Sequence, residues 1–157
     1  MRIRRASAAD VPVIEDIVDR AYGGYVERIG GRPLPMDDDY NEKVREGNVF
    51  VADEDGVCGL IVLVQHPDHV LVENVAVDPR RQGAGVGRLL LDYAETYARE
   101  HQASILRLYT NAAMTENLAI YAHLGYSEDE RRTDNGFERV FLSKRIDLQE
   151  EQEAGAC

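Results

Sequence analysis

Residues 71–91, LVENVAVDPRRQGAGVGRLLL, constrain what this chain can fold into more than any other stretch. An apolar run ends at Asp78-Pro79, glycines follow at 83, 85 and 87, and an amphipathic helix starts at about Gly87. Glycine lets a backbone approach an anion with no Cβ in the way. The first turn of a helix offers N–H groups without intrahelical partners, at the positive end of the dipole. Strand, glycine loop and helix N-terminus therefore make an anion cradle out of backbone. Arg80, Arg81 and Arg88 add positive charge to it, in a chain whose formal net charge is -11. A dinucleotide loop needs G-x-G-x-x-G, and the spacing here is G-x-G-x-G; a Walker loop needs a closing Gly-Lys-Ser/Thr, which is missing. The other reading is a strand-to-helix turn that holds no ligand.

The flanking sequence is that of an α/β chain. Residues 1–5 alternate apolar and basic as an edge strand does. Ser7 or Asp10 can cap a helix carrying Pro12 in its first turn. Its apolar face is Ile14, Ile17, Val18 and Ala21, and Gly23-Gly24 interrupt it. A short helical turn over 25–29 and another starting at Asp37, Asp38 and Asp39 follow. Region 22–40, with three tyrosines, Met36 and the acidic cluster, reads as a lid or as a plain helical connection. From Asn48 the period becomes that of strands, over 48–53, 57–65 and 69–77, with turns at 54–56 and 66–68. Helix 87–100 has Leu90, Tyr93, Ala94 and Tyr97 as its buried stripe, with Arg88, Asp92, Glu95 and Arg99 outside. A buried strand over 104–110 completes a strand–helix–strand crossover between parallel neighbours. Helix 115–124 stops at Gly125. Residues 126–128 and 137–142 read as strands joined through a polar turn at 132–136. One domain is expected over 1–146, then a polar tail over 147–157.

Composition narrows the function classes. The acidic balance argues against nucleic-acid binding, which needs a basic surface for phosphates. No apolar run approaches a membrane span of roughly 20 residues. Cys58 and Cys157 make no disulfide framework, and the chain start lacks the apolar segment of a signal peptide. A cytoplasmic, reduced setting is the default expectation. His66, His69, His101 and His123 have no metal-ligand spacing and read as solvated surface groups, so no metal is expected.

Arg80-x-x-Gly83-x-Gly85, following an apolar strand that ends Val75-Ala76-Val77-Asp78-Pro79, resembles the signature of the GNAT superfamily of acetyl-CoA-dependent N-acyltransferases. A second motif of that family is matched by NLAIYAHLGY at 117–126. The resemblance covers nearly the whole chain. It implies a mixed, mostly antiparallel central sheet, splayed at the cofactor site and flanked by helices. It further implies that backbone groups of Val75, Ala76 and Val77 pair with the pantetheine arm of coenzyme A. The pyrophosphate would lie on the loop formed by Arg80, Gln82, Gly83, Ala84, Gly85, Val86, Gly87 and Arg88, chiefly on the N–H groups of 83–88. Strands carrying Val75 and Tyr109 would diverge to admit the thioester. Asn117 matches the position that contacts the cofactor arm, and Tyr121 the position whose hydroxyl faces the sulfur.

These placements suit the chemistry of acetyl transfer to an amine. The amine must lose a proton before it attacks, so a base or a water chain is needed. Glu73 is the candidate base, on the strand face shared with Val75 and Val77 unless a bulge re-aims it. A tyrosine hydroxyl, with a reference pKa of about 10, can donate to the leaving thiolate and stay protonated at neutral pH. Tyr121 is the candidate acid; three residues after Leu118, it could equally be core. A strand N–H such as that of Val75 could stabilise the oxyanion. The expected enzyme moves an acetyl group from acetyl-CoA directly to the primary amine of a small-molecule acceptor. A non-catalytic acyl-CoA-binding module with the same fold is the alternative, and a homodimer is left open. On the acceptor side, Asp37 to Asp39 would attract a cation, whereas Arg131 and Arg132 would grip an acid.

Overall fold

The computed structural model describes residues 1–134 and 136–148. Cys157 and most of the tail expected over 147–157 lie outside the described residues. Strands are β1 (Arg2–Arg5), β2 (Val49–Asp53), β3 (Val57–Gln65), β4 (Val70–Val77), β5 (Ile105–Asn111), β6 (Ser127–Asp134) and β7 (Phe137–Arg145). Helices are α1 (Val11–Gly23), α2 (Val26–Ile29), α3 (Tyr40–Arg45), α4 (Val86–Glu100) and α5 (Thr115–His123). Hydrogen bonding orders the strands β1-β2-β3-β4-β5-β7-β6 in one mixed, mostly antiparallel sheet. The chain divides into two compact units, Met1–Leu63 with Glu73–Tyr93, and Val64–Val72 with the described chain from Ala94 onward.

In the first unit, β3 is an unbroken apolar run buried from Cys58 to Leu63, as a strand covered on both faces must be. β1 pairs antiparallel with β2, and β2 with β3. Ile14, Ile17 and Val18 of α1 are buried, as are Val49 and Val51 of β2 and their β3 partners Val62 and Leu60. Gly59 lets α4 approach closely: a Cβ there would stand 2.8 Å from Val86 Cγ1 and 3.1 Å from both Leu90 Cδ1 and the Ala76 carbonyl. Asp39 caps α3, accepting from the Glu42 N–H at 3.2 Å. That fixes a local task for one acid of the 37–39 cluster. Tyr93, expected in the buried stripe, is half-buried on the flank of α4, tilted against Phe50 at 5.1 Å.

In the second unit, β4 pairs in parallel with β5 over Val70–Val72 and Leu106–Leu108, and both strands continue beyond the paired stretch. β7 pairs antiparallel with β5 and β6. Leu106, Leu108, Val140 and Leu142 make one buried face with Ala94 and Ala98 of α4. Three expectations need correction. Glu95 and Arg99 do not lie outside: their side chains are only 19% exposed, Glu95 receives Lys144 of β7 at 3.2 Å, and Arg99 donates to the Asp147 carbonyl at 3.3 Å. Arg132 is strand, not turn, paired with Arg139 across the β6–β7 hairpin. The sequence SEDERRTD has no apolar period because β6 is the outer strand, and charged residues suit an exposed edge. His69 is not a solvated group: its side chain is 15% exposed, it stacks on His66, and its Nδ1 lies 2.7 Å from Asp68.

Candidate functional site

The anion-cradle stretch is built as its sequence requires. Asp78, buried at the end of β4, donates its N–H to the Cys58 carbonyl at 2.9 Å. Its carboxylate accepts from the Arg80 N–H at 2.9 Å and from the Arg80 guanidinium at 2.8 Å. That pairing holds the carboxyl below the usual aspartate range and fixes the turn at Pro79–Arg81. Gly83 and Gly85 take φ of +86° and +80°, which only glycine adopts readily, and nothing stands within 4 Å of a side chain built on either. Their backbone is open to a ligand. Leu89 is the first residue whose N–H reaches back to the loop, at 3.0 Å from the Gly85 carbonyl. By helix geometry the N–H groups of Val86, Gly87 and Arg88 have no partner inside the 15-residue helix. These features fit a pyrophosphate.

The arginines contribute less than their number suggests. Arg80 is spent on Asp78, and Arg81 lies 3.4 Å from Glu54. The cradle's attraction rests mainly on oriented N–H groups and the α4 dipole, with exposed Arg88 beside them.

Burial alternates along β4, with Glu73, Val75 and Val77 less buried than Asn74 and Ala76. The consecutive side chains of Glu73 and Asn74 nevertheless both meet α3, at Lys43 and Tyr40. Glu73 is ion-paired with Lys43 of α3, whose ammonium also lies 3.9 Å from Asp38. Burial, opposed by Lys43, pushes the Asp38 carboxyl up. Asn74, 4% exposed, anchors a polar chain that sequence reasoning missed. The Tyr22 hydroxyl reaches Asn74 Oδ1 at 2.5 Å, Asn74 Nδ2 donates to the Tyr40 hydroxyl at 3.0 Å, and that hydroxyl donates to the Pro35 carbonyl at 2.6 Å. Burial drives the Tyr40 phenol well above its ordinary pKa. The signal for this chain was present: an asparagine on the buried face of an alternating strand demands partners. Two of the three tyrosines in region 22–40 supply them.

In the second unit, α5 carries Asn117 half-exposed in its first turn and Tyr121 buried one turn on. The Tyr121 ring meets Tyr126 edge-on at 5.8 Å. Burial pushes its phenol up to about 12. Among the described residues no hydrogen bond engages the Tyr121 hydroxyl, so at neutral pH it is a protonated donor. Arg131 and Arg132, the expected acid grip, are engaged by Glu128 at 2.6 Å and Glu130 at 3.3 Å.

A family model for the acetyltransferase (GNAT) domain matches residues 45–128, more than half of the chain. The chain belongs to the GNAT acetyltransferase family, and its fold is that of an acyltransferase. The PaiA N-acetyltransferase from Thermoplasma acidophilum, solved with coenzyme A, superposes with a TM-score of 0.78 at 15% identity, over 92% of this chain and 98% of that one. The ribosomal-protein-S18-alanine N-acetyltransferase from Escherichia coli gives 0.72 at 20% identity, over 92% and 93%. Nourseothricin acetyltransferase gives 0.72 at 21%, over 93% and 98%. At such identities these likenesses establish the fold. No curated protein sequence matches the chain. The matched segment contains Glu73, the glycine loop, Asn117 and Tyr121; Tyr22, Tyr40 and Lys43 lie outside it.

Proposed function

We propose that this protein is an N-acetyltransferase that moves an acetyl group from acetyl-CoA directly to the primary amine of a small-molecule acceptor. The observation that carries the reading is the open glycine backbone at Gly83 and Gly85, set before the free N–H groups of α4. Acetyl-CoA supplies an activated acyl group as a thioester. The N–H groups of 83–88 hold its pyrophosphate, with Arg80 and Gln82 shaping the loop, and the backbone of Val75, Ala76 and Val77 aligns its arm. Asn117 contacts that arm. Tyr121, kept protonated by burial, donates to the departing sulfur. Glu73 accepts the proton lost by the amine, directly or through water, while Lys43 fixes the carboxylate in place. Holding both reactants in register supplies more of the rate than proton transfer does.

The ion pair at Glu73 also gives ground for the second reading, a non-catalytic acyl-CoA-binding module. Thiol release from acetyl-CoA across a panel of amines decides between them. Turnover with any amine removes the binding module. In an enzyme, Tyr121→Phe lowers kcat by about 100-fold while the Kd for coenzyme A stays within twofold. An unchanged kcat would remove Tyr121 from the chemistry.

A further inference from the structure

The second unit contains a groove of about 480 Å³ on the face of β4, β5, β7 and β6 opposite the one Lys144 shares with α4. Its floor is ordered by register. Ile105 stands across from Arg145, Arg107 from Ser143, and Tyr109 from Phe141. Arg107 and Arg145 are thus diagonal neighbours on adjacent strands, close enough for two long side chains to converge on one group. Tyr109 and Phe141, with ring centroids 5.8 Å apart, form an aromatic step beside them, and Leu71 of β4 lies across from Arg107.

The charges lining this groove are unequally engaged. Glu130 is paired with Arg132 at 3.3 Å, and Asp129 accepts from the Ser143 hydroxyl at 3.1 Å. Lys144 turns its ammonium away from the groove, to Glu95 on the other face of the sheet at 3.2 Å. Arg132 also lies over the Phe141 ring at 4.2 Å. Asp68, hydrogen-bonded to His69 at the groove's end, feels the field of Arg107. Neither the Arg107 nor the Arg145 side chain makes a hydrogen bond or ion pair among the described residues, and both are exposed. In a chain of net charge -11, two uncommitted guanidinium groups beside an aromatic step stand out as a place for an anion with an apolar body. Guanidinium forks match a carboxylate bidentately, and the volume suits a small molecule.

We propose that this groove binds the carboxylate of a small amphipathic acid, with Arg107 and Arg145 on the carboxylate and Leu71, Tyr109 and Phe141 under its body. That the acid is the acetyl acceptor, an amine that also carries a carboxylate, rests on the acetyltransferase reading above. The test has two arms. In the first, 3-phenylpropionate and its carboxamide are titrated into the protein while backbone amide shifts are followed by NMR. The acid shifts Arg107, Tyr109 and Ser143 and binds at least about tenfold more tightly than the amide. Arg107→Gln and Arg145→Gln each reduce that preference to about twofold, with melting temperatures unchanged. In the second arm, acetyl transfer to phenylalanine is compared with transfer to phenylalaninamide. Phenylalanine is preferred about tenfold in kcat/KM, and Arg145→Gln removes the preference mostly through KM. Acid binding at the groove with no turnover of any amine would support the groove and sink the acetyltransferase reading. Turnover without an acid preference would overturn the assignment of the acid as acceptor and leave the acetyltransferase reading intact, while an acid that binds no more tightly than its amide would overturn the groove. A concentration-dependent dimer that buries Tyr109 and Phe141, and that the acid does not disturb, would overturn the groove as well.

Discussion

Gly59 is where the fold and the donor site depend on one missing atom. A Cβ at this position of β3 would stand 2.8 Å from Val86 Cγ1, and 3.1 Å from Leu90 Cδ1 and from the Ala76 carbonyl oxygen. Leu90 can turn aside at small cost. The carbonyl belongs to β4 and cannot, and Val86 is β-branched in a helix, with essentially one χ1 well. Overpacking of this kind costs about 1–3 kcal/mol. Against it, replacing glycine by alanine removes freedom from the unfolded chain, worth about 0.4–1 kcal/mol. Gly59→Ala should therefore destabilise by about 1–2 kcal/mol, or lower Tm by about 2–8 °C in a chain of this size. Urea unfolding with an unchanged m-value measures it.

The same substitution reports on the site, because Val86 begins the helix whose free N–H groups follow the glycine loop. If α4 lifts to make room, coenzyme A affinity falls under conditions where the protein remains folded. Trimming the obstacle tests the cause: Val86→Ala in the Gly59→Ala background should recover at least about 0.5 kcal/mol relative to additivity. A Gly59→Ala variant within about 0.5 kcal/mol of the parent, or a strictly additive double mutant, would refute the reasoning.

Asp10 bonds Arg4 of β1 at 2.8 Å, and this lowers its pKa from 3.8 to about 2. A depressed folded pKa means stability present above the unfolded value and lost as pH falls through the folded one. That contribution, about 2 kcal/mol, disappears between about pH 4 and pH 2. Asp10→Asn should flatten that part of the pH–stability curve in thermal melts. Asn74→Ala should cost about 2 kcal/mol in urea unfolding, since it takes away the buried partner shared by Tyr22 and Tyr40. A loss below about 0.5 kcal/mol would mean water replaces the amide. Gly85→Ala meets no atom but is forced into φ near +80°, for about 1–2 kcal/mol of local strain. Urea unfolding should show a loss no larger than that strain, and calorimetry weaker coenzyme A binding under conditions where the protein stays folded.

Much of the fold was legible because hydrophobic period carries it. The alternation of β4, the apolar run of β3 and the stripe of α4 are written in residues that must be buried, and each element stands where its period places it. β6 was largely invisible for the converse reason. An outer strand of SEDERRTD has little to bury, and only pairing with β7 makes it a strand. The charged groups misled in the same way. Counting Arg80 and Arg81 as cradle charge ignored Asp78 and Glu54, which take them up. Arg131 and Arg132 looked like a grip for an acid because their neighbours Glu128 and Glu130 lie outside any local motif.

The donor and acceptor sides differ in kind, and this decides where sequence reasoning stops. A pyrophosphate is met by backbone N–H groups, and backbone geometry is dictated locally by glycine spacing and a helix start. That information sits in consecutive residues within the segment matched by the family model. An acceptor is met by side chains brought together by register. Arg107 and Arg145 are 38 positions apart in the chain and become neighbours only because β7 pairs with β5 at Arg107↔Ser143. Lys43 reaches Glu73 across 30 positions, and Tyr22 reaches Asn74 across 52. A shift of β7 by one residue would turn Arg145 to the opposite face and bring Lys144 into the groove. If the groove takes the acceptor as proposed, acceptor preference follows strand register, and variants that slip the β5–β7 pairing should change it while leaving coenzyme A binding unaltered.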